Sequence, residues 1–407
     1  MTSFKPFNKA GALAAAAFAC LFAAACNNGS HATDEGKIDP DSATKMIVKK
    51  APLWAEMLKH DTGWIGADGI YAVSLTGKET SDTAGAAGSM FWFSDCIYGT
   101  IEADTLKKGW GMGHNSVGMF TGGRPDPSKI TFYHGDANKD KTASMFEPKT
   151  PNTKPGDYYW LGDGVFNHAM DSTIYITAYR IRNVPGRVFP FEEVGVAYIA
   201  IPKGSKPPFK DQRQIDAPLF VNDPGAHTMF GTCLMPNTKG AEAPNPDGYI
   251  YVYGVKSPNN QLVVARVKDS EFEDFTKWGF WDGANWGTDI RKCAGILEHV
   301  SNEMSVSFMN DGTGRVIATY QYDSNKPDIY VAVGASPKGP FFPPKKVWHT
   351  PEIYEDIDFY TYNAKAYPHL SAPGELLISY NVNAFDFERK MTMHPHHLRP
   401  RFITVKY

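Results

Sequence analysis

The feature that most constrains the fold is a strand-rich unit that recurs about five times along the 407 residues. Alternating apolar and polar residues, bounded by Gly, Pro, Asn and Asp, indicate short β-strands, as in Ser172–Tyr179 and Gly248–Gly254. Most units begin with a polar or acidic residue. The five openings are Gly66–Gly69, Leu161–Gly164, His227–Thr232, Asn302–Ser307 and Tyr367–Ser371.

Units of four short strands that recur in this way are typical of the blades of a β-propeller. We therefore predict an all-β, five-bladed β-propeller, with a six-bladed propeller and a two-sheet sandwich as the alternatives. The final strand, Arg401–Tyr407, is expected to close the ring. Because the innermost strands converge on a central channel, one polar residue from each blade can reach a common pocket.

The N-terminal residues have the pattern of an export signal. Lys5 and Lys9 precede an apolar stretch, Ala10–Ala25, that leads directly into Cys26. This resembles a bacterial lipoprotein signal with Cys26 as the acylated residue, and ordinary cleavage and secretion is the alternative. We expect residues 1–25 to be the signal peptide, 26–45 a polar tether and 46–407 the propeller. The implied location is the bacterial cell envelope, lipid-anchored to the outer membrane on its periplasmic or surface face.

Composition and motifs argue against several other classes of function. The formal net charge of -3 and the lack of a Lys/Arg run argue against nucleic-acid binding. Gly109–His114 lacks the third glycine of a dinucleotide loop, and neither HExxH nor GxSxG occurs. His394–His397 is expected to be a surface turn, so we predict neither a metal site nor a cofactor. Cys96, Cys233 and Cys293 lack CxxC spacing and are expected to be buried thiols, although one disulfide pair stays open.

Carboxylates carry the remaining chemistry. Asp68 stands between glycines at the start of a strand, and Asp95 ends the apolar strand Met90–Ser94. This spacing suits adjacent strands of one blade. A carboxylate that ends an aromatic strand is costly to bury unless it is hydrogen-bonded or functional. Turn capping is the alternative for Asp68 and for Asp163, because Asp-Gly is common in turns.

Several segments together resemble the bacterial families that carry domains of unknown function 4185 and 5005. They follow one another in family order from about residue 60: Trp64–Tyr71, Phe91–Asp95, His114–Ser116, Tyr251–Gly254, Val264–Val267, Asn302–Val306, Ser336–Phe341, Tyr362–Ser371 and Ile378–Asn381. These families are similar in fold to five-bladed propeller glycosidases of the arabinanase and invertase type. Relatives of the first are placed in glycoside hydrolase family 183, which cuts D-arabinan internally.

The resemblance implies a catalytic pair, Asp68 and Asp95. Glu303 is a third catalytic candidate, because it begins blade four where related propeller glycosidases carry their general acid; a structural hydrogen bond is its alternative role. One departure concerns the second acid, where the family's Gly-Asp-Thr is replaced by Ser94-Asp95-Cys96.

Hydrolysis of a glycosidic bond needs two carboxyl groups across that bond. We therefore expect a glycoside hydrolase that acts on a polysaccharide or oligosaccharide, with arabinan-type furanosides suggested by the resemblance. The alternatives are a non-catalytic glycan-binding surface lipoprotein and a phosphorylase or transferase on the same fold. Aromatic residues near the motifs could stack on sugar rings or fill the packing between blades. The residues expected to bind substrate are Trp64, His114, Asn115, Asp163, His227, Tyr362, His369 and Asn381.

Overall fold

The structure, a computed structural model, describes residues 46–80, 88–135, 144–186, 190–223 and 226–407. The predicted export signal, Cys26 and the tether lie outside the described residues. Within the described ranges, no helix is long and apolar enough to cross a membrane. The α-helices are short and lie at Pro52–Met57 and Phe387–Met393. Single turns of 3₁₀-helix occur at Pro127–Lys129, Asp269–Glu271, Phe275–Lys277, Ile290–Lys292, Pro351–Tyr354 and Pro368–Leu370.

Five antiparallel sheets form the predicted five blades, and each inner strand is followed along the chain by strands that lie progressively further out. Blade 1 contains Tyr71–Ser74, Ser89–Phe93, Ser116–Phe120 and Ile130–Tyr133. Blade 2 contains Tyr158–Asn167, Thr173–Asn183, Phe191–Ile201 and Arg213–Ala217. Blade 4 contains Ser305–Phe308, Val316–Gln321, Asp328–Gly334 and Lys345–His349.

Blades 3 and 5 depart from this simple pattern. Blade 3 has six strands, Phe220–Asp223, Ala226–Asn237, Tyr249–Lys256, Gln261–Lys268, Gly279–Trp281 and Trp286–Gly287. Blade 5 contains Phe359–Ala366, Glu375–Ala384, Arg401–Lys406 and, as its outermost strand, Ile47–Lys50. The prediction that the C-terminal strand closes the ring was therefore wrong in one respect. The C-terminal strand is third in blade 5, and the N-terminal strand pairs with it to complete the blade.

Apolar side chains fill the seams between neighbouring blades. One cluster joins blades 1 and 2 through Trp92 and Tyr159, and another joins blades 2 and 3 through Tyr198 and Phe230. Similar clusters lie between blades 3 and 4, between blades 4 and 5, and between blades 5 and 1. Five seams for five blades mean that the sheets form a closed ring, which protects their faces from water.

A small accessory sheet is attached to blade 1. It contains Thr62–Ala67, Cys96–Glu102, Thr105–Leu106 and Gly111–Gly113. The chain passes from this sheet into blade 1 at Asp68 and leaves blade 1 for it at Asp95. Its apolar face, which includes Ile65 and Ile97, packs against Met391 of the second α-helix. The two candidate acids thus lie where two sheets meet.

Two minor predictions can be compared directly with the structure. Cys96, Cys233 and Cys293 are buried free thiols. His394–His397 is not wholly a surface turn, because the ring of His397 is buried and stacks on Phe359 with 5.0 Å between ring centroids. Among the described residues, no group of three or more His, Cys, Asp or Glu side chains could hold a metal ion.

Candidate active site

The backbones of Asp68 and Asp95 are hydrogen-bonded to each other. The N–H of Asp68 donates to the carbonyl of Asp95 at 3.1 Å, and the N–H of Ser94 donates to the carbonyl of Asp68 at 2.9 Å. Strand pairing continues on both sides, with Ala67 opposite Cys96 in the accessory sheet and Tyr71 opposite Trp92 in blade 1. The two acids are therefore neighbours on adjacent strands, as their spacing predicted.

The glycine after Asp68 is required by this crossing. Gly69 has a φ of +56°, and a Cβ atom there would lie 2.6 Å from Ser94 Oγ. Only glycine accepts both conditions without a shift of the chain. Ser94 Oγ also accepts a hydrogen bond at 3.0 Å from the N–H of Leu161. Ser94, the residue before the second acid, thus ties blade 1 to the inner strand of blade 2.

Asp68 is the deeper of the two acids. Its carboxylate accepts a hydrogen bond of 2.6 Å from the hydroxyl of Tyr362, and Asn383 Nδ2 donates to that hydroxyl oxygen at 3.1 Å. Burial raises the pKa of Asp68 well above its usual value, and the charge of Asp95 raises it further. The Tyr362 hydrogen bond and the charge of Lys365 oppose this shift. Burial and the charge of Asp95 thus favour the protonated form of Asp68.

Asp95 lies in a different environment. Trp160 Nε1 donates to its carboxylate at 3.0 Å, and His114 Nδ1 lies 3.0 Å from the same oxygen. The His114 ring stacks on Tyr158 with 3.7 Å between centroids, which fixes the orientation of the imidazole. The Asp95 side chain keeps 28% of its surface exposed. It is held in place by ring N–H groups while remaining open to solvent.

Asp163 lies in a β-bulge and not in a turn. The register of the inner strand of blade 2 shifts between Leu161 and Gly164, and a bulge of this kind redirects a side chain. Asp163 accepts 2.8 Å hydrogen bonds from the N–H groups of Gly164 and Leu234, which join blades 2 and 3. Burial nevertheless raises the pKa of Asp163 to about 7. The turn-capping alternative is therefore excluded for this residue.

Glu303 immediately precedes the inner strand of blade 4 and forms an ion pair with Lys365 of blade 5. Lys365 Nζ also lies 3.9 Å from the ring centroid of Tyr71. Burial lowers the pKa of Lys365, whereas the charges of Glu303, Asp68 and Asp163 raise it. Acids from blades 1, 2 and 4 therefore surround one ammonium group at the centre of the ring. We name Asp68, Asp95, Asp163, Glu303 and Lys365 the carboxyl cluster.

Three residues expected to bind substrate have structural positions instead. Trp64 is 4% exposed and stacks on Phe132 at 4.1 Å, so its ring has no free face for a sugar. Asn115 is fully buried, where it holds the backbones of Phe146 and Tyr159. Asn381 is also fully buried and donates to the carbonyl of Ala67, next to Asp68. The predicted direct contacts are thus replaced by support of the backbone around the site.

His227 and His369 lie apart from the carboxyl cluster. The His227 ring packs edge-on against Phe220 in blade 3. His369 is buried in the 3₁₀-helix after the inner strand of blade 5, where burial lowers its pKa to about 4. Neither side chain is hydrogen-bonded to the cluster in the part of the chain that the structure describes. Of the residues expected to bind substrate, His114, Tyr362 and Asp163 contact the cluster or belong to it.

The sequence model of one family, "Domain of unknown function (DUF5005)", matches residues 53–407. The chain belongs to the DUF5005 family. The match covers every blade, including the residues of the carboxyl cluster, and it confirms one of the two families named from the sequence. The search of curated proteins finds no match to this DUF5005 protein.

Solved structures show the same fold. The DUF5005 protein is similar to a presumed hydrolase from Bacteroides ovatus, with a TM-score of 0.67 and 18% identity over 89% of this chain and 90% of the other. More distant matches include the α-L-arabinofuranosidase PaAbf62A from Podospora anserina, with a TM-score of 0.45 and 9% identity over 86% of this chain and 93% of that one. An exo-β-1,3-galactanase from Phanerochaete chrysosporium has a TM-score of 0.41 and 12% identity over 88% of this chain and 63% of that one.

Sequence reasoning missed Lys365 of the DUF5005 site, and it counted Trp160 only among the aromatic residues near the motifs. The opening of the fifth unit was placed at Tyr367–Ser371, but this segment follows the inner strand of blade 5. The inner strand itself bulges between Tyr362 and Lys365 and so directs Lys365 at the acids. The signal was present, because Tyr362–Ser371 was among the family-like segments. Trp160 stood beside the second unit's opening, but its role depends on a contact with Asp95 of another blade.

Proposed function

We propose that this DUF5005 protein is a glycoside hydrolase whose active site is the carboxyl cluster. One observation carries the proposal: Asp68 and Asp95 are adjacent, yet their surroundings differ sharply. Asp68 and Asp95 are both partly buried, but Asp68 has a raised pKa and accepts a hydrogen bond from a tyrosine hydroxyl, whereas Asp95 accepts one from an indole N–H. Two neighbouring carboxyl groups in unlike environments are suited to acid and base roles in one reaction.

The surroundings suggest a role for each acid. Asp68, whose pKa is raised, is assigned the role of the acid that donates a proton to the leaving oxygen of the glycosidic bond. Asp95 acts on the anomeric carbon, either directly as a nucleophile or by activating a water molecule. Glu303 and Asp163 add negative charge that favours the positive sugar ring of an oxocarbenium-like transition state. General acid–base assistance of this kind contributes roughly 10²–10⁴-fold to a rate.

Aromatic rings line two approaches to the acids. On one side lies Phe385, which is 73% exposed and has its ring centroid 4.9 Å from that of Tyr360. The Tyr360 ring is in turn 5.4 Å, centroid to centroid, from that of Tyr362, next to Asp68. On the other side, the partly buried Trp160 lies beside Asp95, and the ring face of the buried Tyr158 is covered by His114. Apolar ring faces beside polar groups match the alternating C–H faces and hydroxyls of a sugar chain. This arrangement favours a polymeric glycan over a compact, strongly charged substrate.

The substrate class follows from the family resemblance and stays a proposal. Arabinan-type furanosides are the first glycans to test, since the resemblance to D-arabinan hydrolases extends over the two early acids. Ser94 and Cys96 occupy positions where those relatives carry other residues, and both contact the backbone around Asp95. We therefore propose a furanoside-containing polysaccharide and leave the linkage to experiment.

The test is a screen of the soluble protein, from Met46 onward, against plant and bacterial polysaccharides with analysis of released sugars. We expect reducing ends to appear with at least one glycan, and to be lost with Asp95→Asn. Asp171→Asn is the matched control, because Asp171 is exposed, lies in the turn after the inner strand of blade 2 and outside the cluster, and has a φ of +52° that asparagine tolerates. If glycans bind but wild type releases no product from any of them, the non-catalytic glycan-binding alternative is correct.

We also propose that the protein is attached to the cell envelope through lipid on Cys26. The apolar stretch that ends in Ala-Cys, followed by polar residues, supports this location. A Cys26→Ala variant is expected to leave the membrane fraction of the producing cell. Membrane association that does not change with this substitution would contradict the anchor.

A further inference from the structure

Lys365 is a buried cation for which neither the family description nor the proposed acid and base roles account. Its side chain is 1% exposed, and its ammonium group touches the carboxylate of Glu303 and the face of Tyr71. A buried lysine is costly unless its charge is compensated. Here the compensation comes from three different blades, so the residue is positioned by the closed ring and not by its own strand alone.

The groups that face Lys365 can be named blade by blade. Blade 1 supplies Tyr71 and, where it meets the accessory sheet, Asp68, behind which lies Asp95. Blade 2 supplies Asp163, and blade 4 supplies Glu303. Blade 3 supplies the backbone carbonyl of Thr232, which accepts a hydrogen bond from the Tyr71 hydroxyl.

More distant groups complete this environment. Tyr362 shares the inner strand of Lys365 and donates to Asp68. The charges of Glu303 and Asp163 act on the phenols of Tyr179 in blade 2 and Tyr367 in blade 5. The charge of Asp163 also acts on the Cys233 thiol of blade 3. Burial raises the pKa values of these phenols and of this thiol, so they remain neutral at physiological pH.

We propose that Lys365 is the positioning residue of the carboxyl cluster: it fixes Glu303 and supplies the positive charge that lets four neighbouring carboxyl groups share the centre of the ring. Without it, the acids would repel one another, and they would take up protons to relieve that repulsion. Lys365 thereby sets how many of the acids are ionised at a given pH. This inference rests on the proposed function for its catalytic meaning, but its electrostatic core concerns the folded protein alone.

The electrostatic core can be tested without any substrate, through the dependence of thermal stability on pH. The carboxyl groups of the folded Lys365→Met protein should bind more protons than those of the folded wild type, while the carboxyl groups of the two unfolded chains bind equal numbers. Stability then falls more steeply with rising pH in the variant. Relative to wild type, we expect Lys365→Met to lose more Tm at pH 8 than at pH 5, by about 2 °C or more.

Matched variants separate charge from packing. Lys390→Met removes another buried lysine. Lys390 lies in the second α-helix, is 7% exposed and is paired with Asp356 and Asp358. Because this ion pair lowers the pKa of Asp356, the cost of losing the pair is the same at pH 5 and pH 8. The Lys390 charge also lowers the pKa of His397, so Lys390→Met gives the baseline for pH effects that do not involve the carboxyl cluster. Lys365→Arg keeps the charge and should keep the wild-type pH dependence, and Lys365→Gln replaces Lys365→Met if the latter does not fold.

The outcomes are distinct. The proposal would be overturned if Lys365→Met and Lys365→Gln lost the same Tm at pH 5 and at pH 8, as Lys390→Met does. Once a substrate is known, the same variants should shift the pH–rate profile upward, whereas a merely structural residue would lower the rate at all pH values alike. If no glycan is hydrolysed but the stability result holds, the proposed function fails while the role of Lys365 in the cluster stands.

Discussion

At the scale of single residues, some of the carboxyl groups along the centre of the ring have raised proton affinities. Burial raises the pKa of Asp163 to about 7 and that of Glu79 to about 8. Glu79 follows the inner strand of blade 1 and lines a cavity of about 160 Å³ with Met235, Ser307, Met309 and Pro368. These residues end or follow the inner strands of blades 3, 4 and 5. The cavity is therefore at the opposite end of the ring's centre from Asp68.

Glu79→Gln is expected to change how stability depends on pH. A carboxyl group whose pKa is raised on folding stabilises the protein below its unfolded pKa of about 4.5, and this contribution is lost as pH rises through about 8. Glutamine stays neutral, so the variant should gain Tm relative to wild type between pH 5 and pH 9. Glu242→Gln, at the more exposed rim of the cavity, is the control. A Tm difference that is flat over this range would show that Glu79 is not buried as a neutral acid.

Residue-level prediction from the sequence succeeded where a motif fixes the local geometry. Asp68 could be paired with Asp95 because their strands are consecutive and antiparallel. Glu303 could be selected as a candidate acid because it opens a unit. Trp64 and Asn115 are expected in the binding site, but both are buried. Residue type and motif position do not reveal which side of a strand is covered by another side chain, such as Phe132, or by a loop. Lys365 could not be recognised, because its partners lie on three other blades.

At the scale of elements, the strands themselves were predictable and their irregularities were not. The apolar run Met90–Ser94, for example, corresponds to the strand Ser89–Phe93. The inner strands of blades 2, 3 and 5 each bulge, at Leu161–Gly164, Phe230–Cys233 and Tyr362–Lys365. A bulge changes which side chains face the centre, and a strict alternation pattern cannot show it. Asp163 and Lys365 are directed inward by these bulges.

The outermost strand of blade 5 offers a test at this scale. Ile47–Lys50 pairs along its whole length with Arg401–Lys406 and joins the two ends of the chain. A protein that begins at Ala51 should lose this pairing, expose the edge of Arg401–Lys406 and melt at a Tm about 5 °C or more lower than one that begins at Met46. Equal melting temperatures for the two proteins would contradict a stabilising role for this closure.

At the scale of the whole molecule, the site exists only when the ring is closed. Tyr362 and Asp68 are 294 residues apart in sequence and are joined by one hydrogen bond, and Asn381 reaches Ala67 across 314 residues. The five-bladed architecture was predictable from repetition, because each unit must bury its faces against the next. The accessory sheet was not predicted, since its short strands lie within the first unit and look like part of that blade.

The proposed function requires that Asp68 and Asp95 form one catalytic pair at the centre of this ring. The most direct measurement compares kcat/KM of wild type, Asp68→Asn, Asp95→Asn and Asp171→Asn on the first glycan that is hydrolysed, with Tm as the check on folding. We predict a loss of at least about 10²-fold for each of the first two variants, no loss for Asp171→Asn, and an alkaline limb in the wild-type pH profile that Asp68→Asn removes. Near-full activity in both Asp68→Asn and Asp95→Asn would contradict the claim.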